Sequence, residues 1–113
     1  MEIIMENERV IYAALLGLGT VGTGVYKVLK MQEDEMAQKI GAVVKIKKVM
    51  VRNVQKAADK LGDASLVTND WQEIINDPEI QVIIEVMGGI HPAKEYILEA
   101  LNAGKMVVTA NKD

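Results

Sequence analysis

Residues 12–22 read YAALLGLGTVG, and this stretch decides the fold. A short apolar run is typical of a buried strand, and Val25, Val28 and Leu29 follow the glycines at the spacing of an amphipathic helix. A strand, a glycine turn and a helix in this order form the context in which G-x-G-x-x-G predicts a dinucleotide site. The alternative, a glycine-rich turn without a ligand, is disfavoured by that context.

Each glycine of the motif has a separate task in such a site. Gly17 permits a tight turn out of the strand, Gly19 leaves the backbone open to a pyrophosphate, and Gly22 lets the helix pack closely on the strand. The helix begins near Thr20, so its unpaired N–H groups and its dipole can receive a phosphate. The motif therefore predicts NAD or NADP as the cofactor.

The composition and net charge of the chain argue against several classes of protein. The chain has 113 residues, enough for one domain with a core, and no cysteine for a disulfide or a thiolate metal site. A net charge of −3 and 4% aromatic residues do not favour nucleic-acid binding. The start of the chain does not resemble a signal peptide, and no apolar stretch has membrane-spanning length. We expect a cytoplasmic protein without a nucleic-acid, membrane or metal partner.

Strand and helix patterns alternate along the chain. We predict strands at 10–16, 43–51, 65–68, 81–87 and 106–109, and helices at 20–39 and 54–61, a short one after Asn69 or Asp70, and one after Pro92. This alternation predicts an α/β, Rossmann-type, doubly wound parallel sheet of five strands in the order 3-2-1-4-5, with helices on both faces. Since this fold usually continues further, we expect residues 1–113 to be the NAD(P)-binding domain of a longer enzyme.

Ligands of such sheets bind beyond the carboxyl ends of the strands. Strand two ends at Arg52, where an NAD site usually has an acidic residue, and Lys56 lies one turn later. Arg52 therefore favours NADP over NAD by pairing with the 2′-phosphate, although a solvated arginine at a strand end stays an alternative. Glu85 lies in an apolar strand, so we expect its carboxylate to pair at the strand end.

Two further segments reach the same edge of the sheet. Gly88 and Gly89 follow strand four and let the backbone approach the nicotinamide half of the cofactor, with a plain turn as the alternative. Lys112 follows strand five and is a candidate catalytic residue that stabilises a developing alkoxide, with a solvated lysine as the alternative.

Three motifs together resemble one family. GLGTVGTGV at 17–25, EVMGGI at 85–90 and VVTANK at 107–112 resemble homoserine dehydrogenases, and the likeness extends from residue 10 to residue 113. The resemblance places Lys112 between nicotinamide and substrate. It implies cofactor contacts at Gly17, Gly19, Thr20, Val21, Gly22, Arg52, Gly88 and Lys112.

The resemblance also implies an activity for the parent protein. Homoserine dehydrogenases interconvert L-homoserine and L-aspartate 4-semialdehyde with NAD(P), in the biosynthesis of threonine and methionine, and we expect a homo-oligomeric parent. The main catalytic and substrate residues of the family lie beyond residue 113, so we expect this chain alone to be inactive. Two alternatives are a non-catalytic nucleotide-sensing module and another NAD(P)-dependent oxidoreductase of amino-acid metabolism.

Overall fold

Five parallel strands form one sheet in the order β3-β2-β1-β4-β5, as the sequence predicts. The structure is a computed structural model, and it describes residues 9–87 and 93–109. In chain order the elements are β1 (Arg9–Leu16), α1 (Thr20–Met31), α2 (Glu33–Ile40), β2 (Ala42–Met50), α3 (Val54–Leu61), β3 (Val67–Thr68), α4 (Trp71–Ile75), β4 (Ile80–Glu85), α5 (Ala93–Asn102) and β5 (Met106–Thr109).

Strand β1 is the centre of the sheet and is buried on both faces. Ala14 and Leu16 pack into a core that includes Trp71 from α4 and Ala100 from α5. Ala13 and Leu15 alternate to the opposite face and are equally inaccessible. A parallel strand covered on both sides has to be apolar at every position, which is the reason that the run before the glycines is so uniform.

The single helix predicted over 20–39 is wrong. The chain forms two helices instead, because Gln32 leaves helical geometry with φ −101° and ψ 7°. Glu33 and the two acidic residues after it then lie in the first turn of α2, where the positive end of the helix dipole favours them. Of the apolar positions in α1, Val25 is partly buried but Val28 remains half exposed.

The boundaries of the other strands and helices differ from the predictions by at most two residues. In one place a 3-10 turn replaces part of a predicted strand. The segment 65–68 is a strand only at Val67–Thr68, because a 3-10 turn over Ala64–Leu66 precedes it. Asp70, rather than Asn69, caps α4 by accepting a hydrogen bond from the Gln72 N–H at 3.0 Å. Such side-chain caps satisfy N–H groups that have no partner within the helix.

Charges at the amino edge of the sheet neutralise one another. The Lys47 ammonium contacts Asp77 at 2.7 Å and Glu79 at 2.6 Å. The hydrogen bond to Asp77 raises the pKa of Lys47, and the same bond lowers the pKa of Asp77. Nearby, buried Lys105 donates to the carbonyl oxygens of Asp77 and Ile80, and burial lowers the pKa of Lys105. The charges of Lys47, Asp77 and Glu79 are therefore engaged with one another.

Gly22 presses helix α1 against the end of the sheet. A Cβ atom at Gly22 would lie 2.6 Å from the Gly17 carbonyl oxygen and 3.0 Å from a methyl group of Val86. A Cβ atom cannot lie 2.6 Å from a carbonyl oxygen, so only glycine at position 22 lets α1 pack this closely on the end of β1. Gly24 is in the same helix, and a Cβ atom there would meet no atom within 4 Å.

We expect the two alanine substitutions in α1 to change stability in opposite directions. Gly22→Ala forces the helix away from the strand end, and overpacking of this kind lowers the free energy of unfolding by about 1–3 kcal/mol. Gly24→Ala only restricts the unfolded chain, so it should raise that free energy by about 0.5–1 kcal/mol. Urea denaturation of both variants measures the difference. A Gly22→Ala protein as stable as Gly24→Ala would contradict the close contact.

Candidate functional site

The glycine turn leaves β1 between the ends of its two neighbouring strands. Gly17 donates its N–H to the carbonyl oxygen of Met50 on β2 at 2.9 Å, and Val86, directly after β4, donates to Leu16 at 3.0 Å. Gly17 has φ +103°, a backbone conformation that side chains other than hydrogen strain, and a Cβ atom there would crowd Val86 and Met87. The turn is therefore fixed by the sheet on both sides.

Gly19 presents open backbone at the start of α1. It is the N-cap residue and provides no side-chain hydrogen bond to the first turn of the helix. Its φ of −79° suits any residue, and a Cβ atom there would meet no atom within 4 Å. Neither backbone strain nor packing within the described chain requires glycine at this position. The open space beside uncapped N–H groups fits a pyrophosphate.

A cavity opens directly beside this turn. Its volume is about 670 Å³, within the range of small-molecule sites. A smaller cavity of about 340 Å³ adjoins the other side of Gly19 and is lined in part by Lys56 and Lys60. The residues that line the larger cavity come from the ends of β1, β2, β3 and β4 and from α5: Gly17, Leu18, Gly19, Met50, Val51, Arg52, Asn69, Val86, Met87 and Tyr96.

Arg52 lines this cavity and is exposed, two residues after the end of β2. The next residue, Asn53, caps α3 by accepting a hydrogen bond from the Lys56 N–H at 3.0 Å, which fixes the helix start beside the cavity. Within residues 9–87 and 93–109, neither Arg52 nor Lys56 forms an ion pair. Among the residues that the structure describes, the carboxyl edge thus holds two basic groups without an ion pair.

Glu85 pairs at the strand end, which confirms that prediction. Its side chain is buried, with 1% of its surface exposed. One carboxylate oxygen accepts a hydrogen bond from the Thr109 hydroxyl at 2.6 Å, and the other accepts from the Met87 N–H at 2.8 Å. Glu85 thus joins the ends of β4 and β5 at the edge where the cavity lies.

The described residues include most of the predicted site. Thr20 and Val21 are exposed at the start of α1, and Gly22 is buried beneath them. Gly88, Gly89 and Lys112 lie outside the described residues. Among the described ones, no group of three or more histidine, aspartate or glutamate side chains could hold a metal ion. In the same part of the chain, every helix is too short or too polar to cross a membrane.

The sequence did not predict two residues that line the cavity. Asn69 lies there because β3 ends at Thr68, so the rule that ligands bind at strand ends could have identified it. Tyr96 reaches the cavity from α5. Its ring stacks on Trp71 with centroids 4.4 Å apart and an interplanar angle of 26°, an arrangement that no local pattern indicates.

Comparisons with known proteins agree on one family. Residues 17–113 match the family model for the NAD-binding domain of homoserine dehydrogenase. The homoserine dehydrogenase of Bacillus subtilis is 41% identical over 105 residues, which are 93% of this chain and 24% of that protein. The enzyme of Methylobacillus glycogenes is 42% identical over 102 residues, or 90% of this chain and 25% of its own length.

A solved structure gives the same result for the fold. The crystal structure of S. aureus homoserine dehydrogenase at pH 8.5 superposes with a TM-score of 0.85 and 37% identity, covering 93% of this chain and 26% of that one. The chain therefore spans about a quarter of the length of the relatives that it matches.

Proposed function

The chain belongs to the homoserine dehydrogenase family through its NAD-binding domain, and we propose that it binds NADPH in preference to NADH. The observation that carries dinucleotide binding is the open backbone at Gly19, beside uncapped N–H groups and a cavity of about 670 Å³. Gly17 and Gly22 shape the turn, while Thr20 and Val21 bring their N–H groups to the pyrophosphate. Gly88 belongs to the same proposed cofactor site, on the nicotinamide side.

Arg52 supports the preference for NADPH. The guanidinium is exposed at the cavity and forms no ion pair within the described residues, so binding a 2′-phosphate breaks no existing contact. Arginine matches the oxygens of a phosphate with two parallel hydrogen bonds. Lys56, in the first turn of α3, lines the smaller cavity next to Gly19 and adds positive charge there.

For the parent protein we propose the NAD(P)-dependent interconversion of L-homoserine and L-aspartate 4-semialdehyde, in the cytoplasm and as a homo-oligomer. Residues 1–113 form its cofactor-binding domain. The bound cofactor supplies hydride transfer. The residues of this chain bind and orient it, and the ammonium of Lys112 stabilises the negative charge that develops on the substrate oxygen.

The Arg52→Ala variant tests both binding and cofactor preference. A hydrogen bond to a charged group contributes about 1.5–3 kcal/mol, so NADPH affinity should fall about ten- to a hundredfold while NADH affinity stays unchanged. Calorimetric titration with both cofactors measures this.

The matched control for that titration is Arg9→Ala, which removes the same charge at the first residue of β1 on the opposite edge of the sheet. It should bind both cofactors like the unmodified chain. Equal losses for NADPH and NADH in Arg52→Ala would contradict the role of Arg52. No binding of either cofactor by the unmodified chain would contradict the proposed function.

Lys112→Met tests the catalytic proposal in the full-length enzyme, because it keeps most of the side-chain length and removes the charge. If the ammonium acts in the transition state, kcat/KM for homoserine should fall at least about 10²-fold with little change in melting temperature. Steady-state kinetics measure this. A kcat/KM equal to that of the unmodified enzyme would show that Lys112 is only a surface residue.

A further inference from the structure

Glu85 occupies the last rung that β1, β4 and β5 share. Its register partners are Leu16 on β1 and Thr109 on β5, so the carboxylate lies at the level where all three strands end. Leu16 is followed directly by the glycine turn. Glu85 therefore lies between the glycine turn that follows β1 and the edge strand β5.

The Glu85 carboxylate is buried, and the hydrogen bonds that it accepts come from uncharged donors. Within residues 9–87 and 93–109, no lysine or arginine forms an ion pair with it. Burial of a charge is costly unless hydrogen bonds compensate it, and here the Thr109 hydroxyl and the Met87 N–H each donate to the carboxylate. An apolar side chain would fill the same place at lower cost. The carboxylate at position 85 is therefore better explained by the Thr109 hydroxyl and the Met87 N–H that it binds than by stability alone.

One of the two bonds fixes the backbone of Met87, two residues after β4. The Met87 N–H donates to Glu85, and Met87 in turn lines the large cavity. A Cβ atom at Gly17 would lie 3.4 Å from both the Cγ and the backbone nitrogen of Met87, so the Met87 backbone and side chain lie directly against the glycine turn. Displacing Met87 would change the cavity wall next to Gly17.

The other bond fixes the direction of the carboxylate. The Thr109 hydroxyl donates at 2.6 Å, a short bond of the kind made to a charged acceptor. The Thr109 hydroxyl binds one carboxylate oxygen of Glu85 from the β5 side. The other carboxylate oxygen therefore stays directed toward the Met87 N–H. A continuous connection then runs from Thr109 through Glu85 and Met87 to Gly17.

We propose that Glu85 is a positioning residue, oriented by Thr109, that holds the turn after β4 in the shape required by the nicotinamide half of the cofactor. This inference rests on the proposed function. In parallel sheets the ligand crosses the switch point between β1 and β4, and Met87 lies at that point. The other half of the cofactor, with its 2′-phosphate, binds at Gly19 and Arg52 and does not depend on this connection.

The experiment changes Thr109 rather than Glu85, because Thr109 is exposed and its replacement leaves no buried cavity. Thr109→Val keeps the branched shape and removes the hydroxyl, whereas Thr109→Ser keeps the hydroxyl and serves as the matched control. Each protein is titrated by calorimetry with NADPH and with 2′-phospho-ADP-ribose, which lacks the nicotinamide. Loss of a hydrogen bond to a charged group should weaken NADPH binding by Thr109→Val about tenfold.

The two ligands distinguish positioning from a merely structural role. We expect 2′-phospho-ADP-ribose to bind all three proteins equally and Thr109→Ser to retain the NADPH affinity of the unmodified chain. Equal weakening of both ligands in Thr109→Val, or no change in either, would overturn the inference and leave the proposed function standing. If the unmodified chain bound neither ligand, the proposed function would fail and this inference with it.

Discussion

The contact between Gly22 and the carbonyl of Gly17 is the constraint on which the site depends. It brings the first turn of α1 very close to the end of β1. Even a Cβ atom at Gly22 would lie only 2.6 Å from the Gly17 carbonyl oxygen. Because the helix starts there, its uncapped N–H groups lie beside Gly19 at the mouth of the cavity. The packing at Gly22 thus also positions the N–H groups beside Gly19 that are open to a phosphate.

The distribution of charge follows the direction of the strands. At the amino edge, Lys47 is paired with Asp77 and Glu79. At the carboxyl edge, Arg52 and Lys56 form no ion pair within the described residues. With a net charge of −3, the chain has no general attraction for anions, so these local cations concentrate the potential where a phosphorylated ligand binds.

Short-range patterns were sufficient to predict the sheet order. The apolar runs, the glycine turn and the rule for right-handed crossovers together predict 3-2-1-4-5, and the strand ends then place Arg52 and the glycine turn together. The break at Gln32 was missed because the residues on both sides of it are compatible with a continuous helix. The stacking of Tyr96 on Trp71 was missed because it depends on how two distant helices pack.

The central claim is that Gly19 is glycine because a pyrophosphate lies over it, and calorimetry with NADPH tests this most directly. Gly19→Ala and Gly24→Ala each add one methyl group where the protein has open space, so both should fold. We expect Gly19→Ala to lose about tenfold or more in NADPH affinity, since the methyl group overlaps the ligand, and Gly24→Ala to bind like the unmodified chain. Equally tight NADPH binding by the two variants would contradict the account.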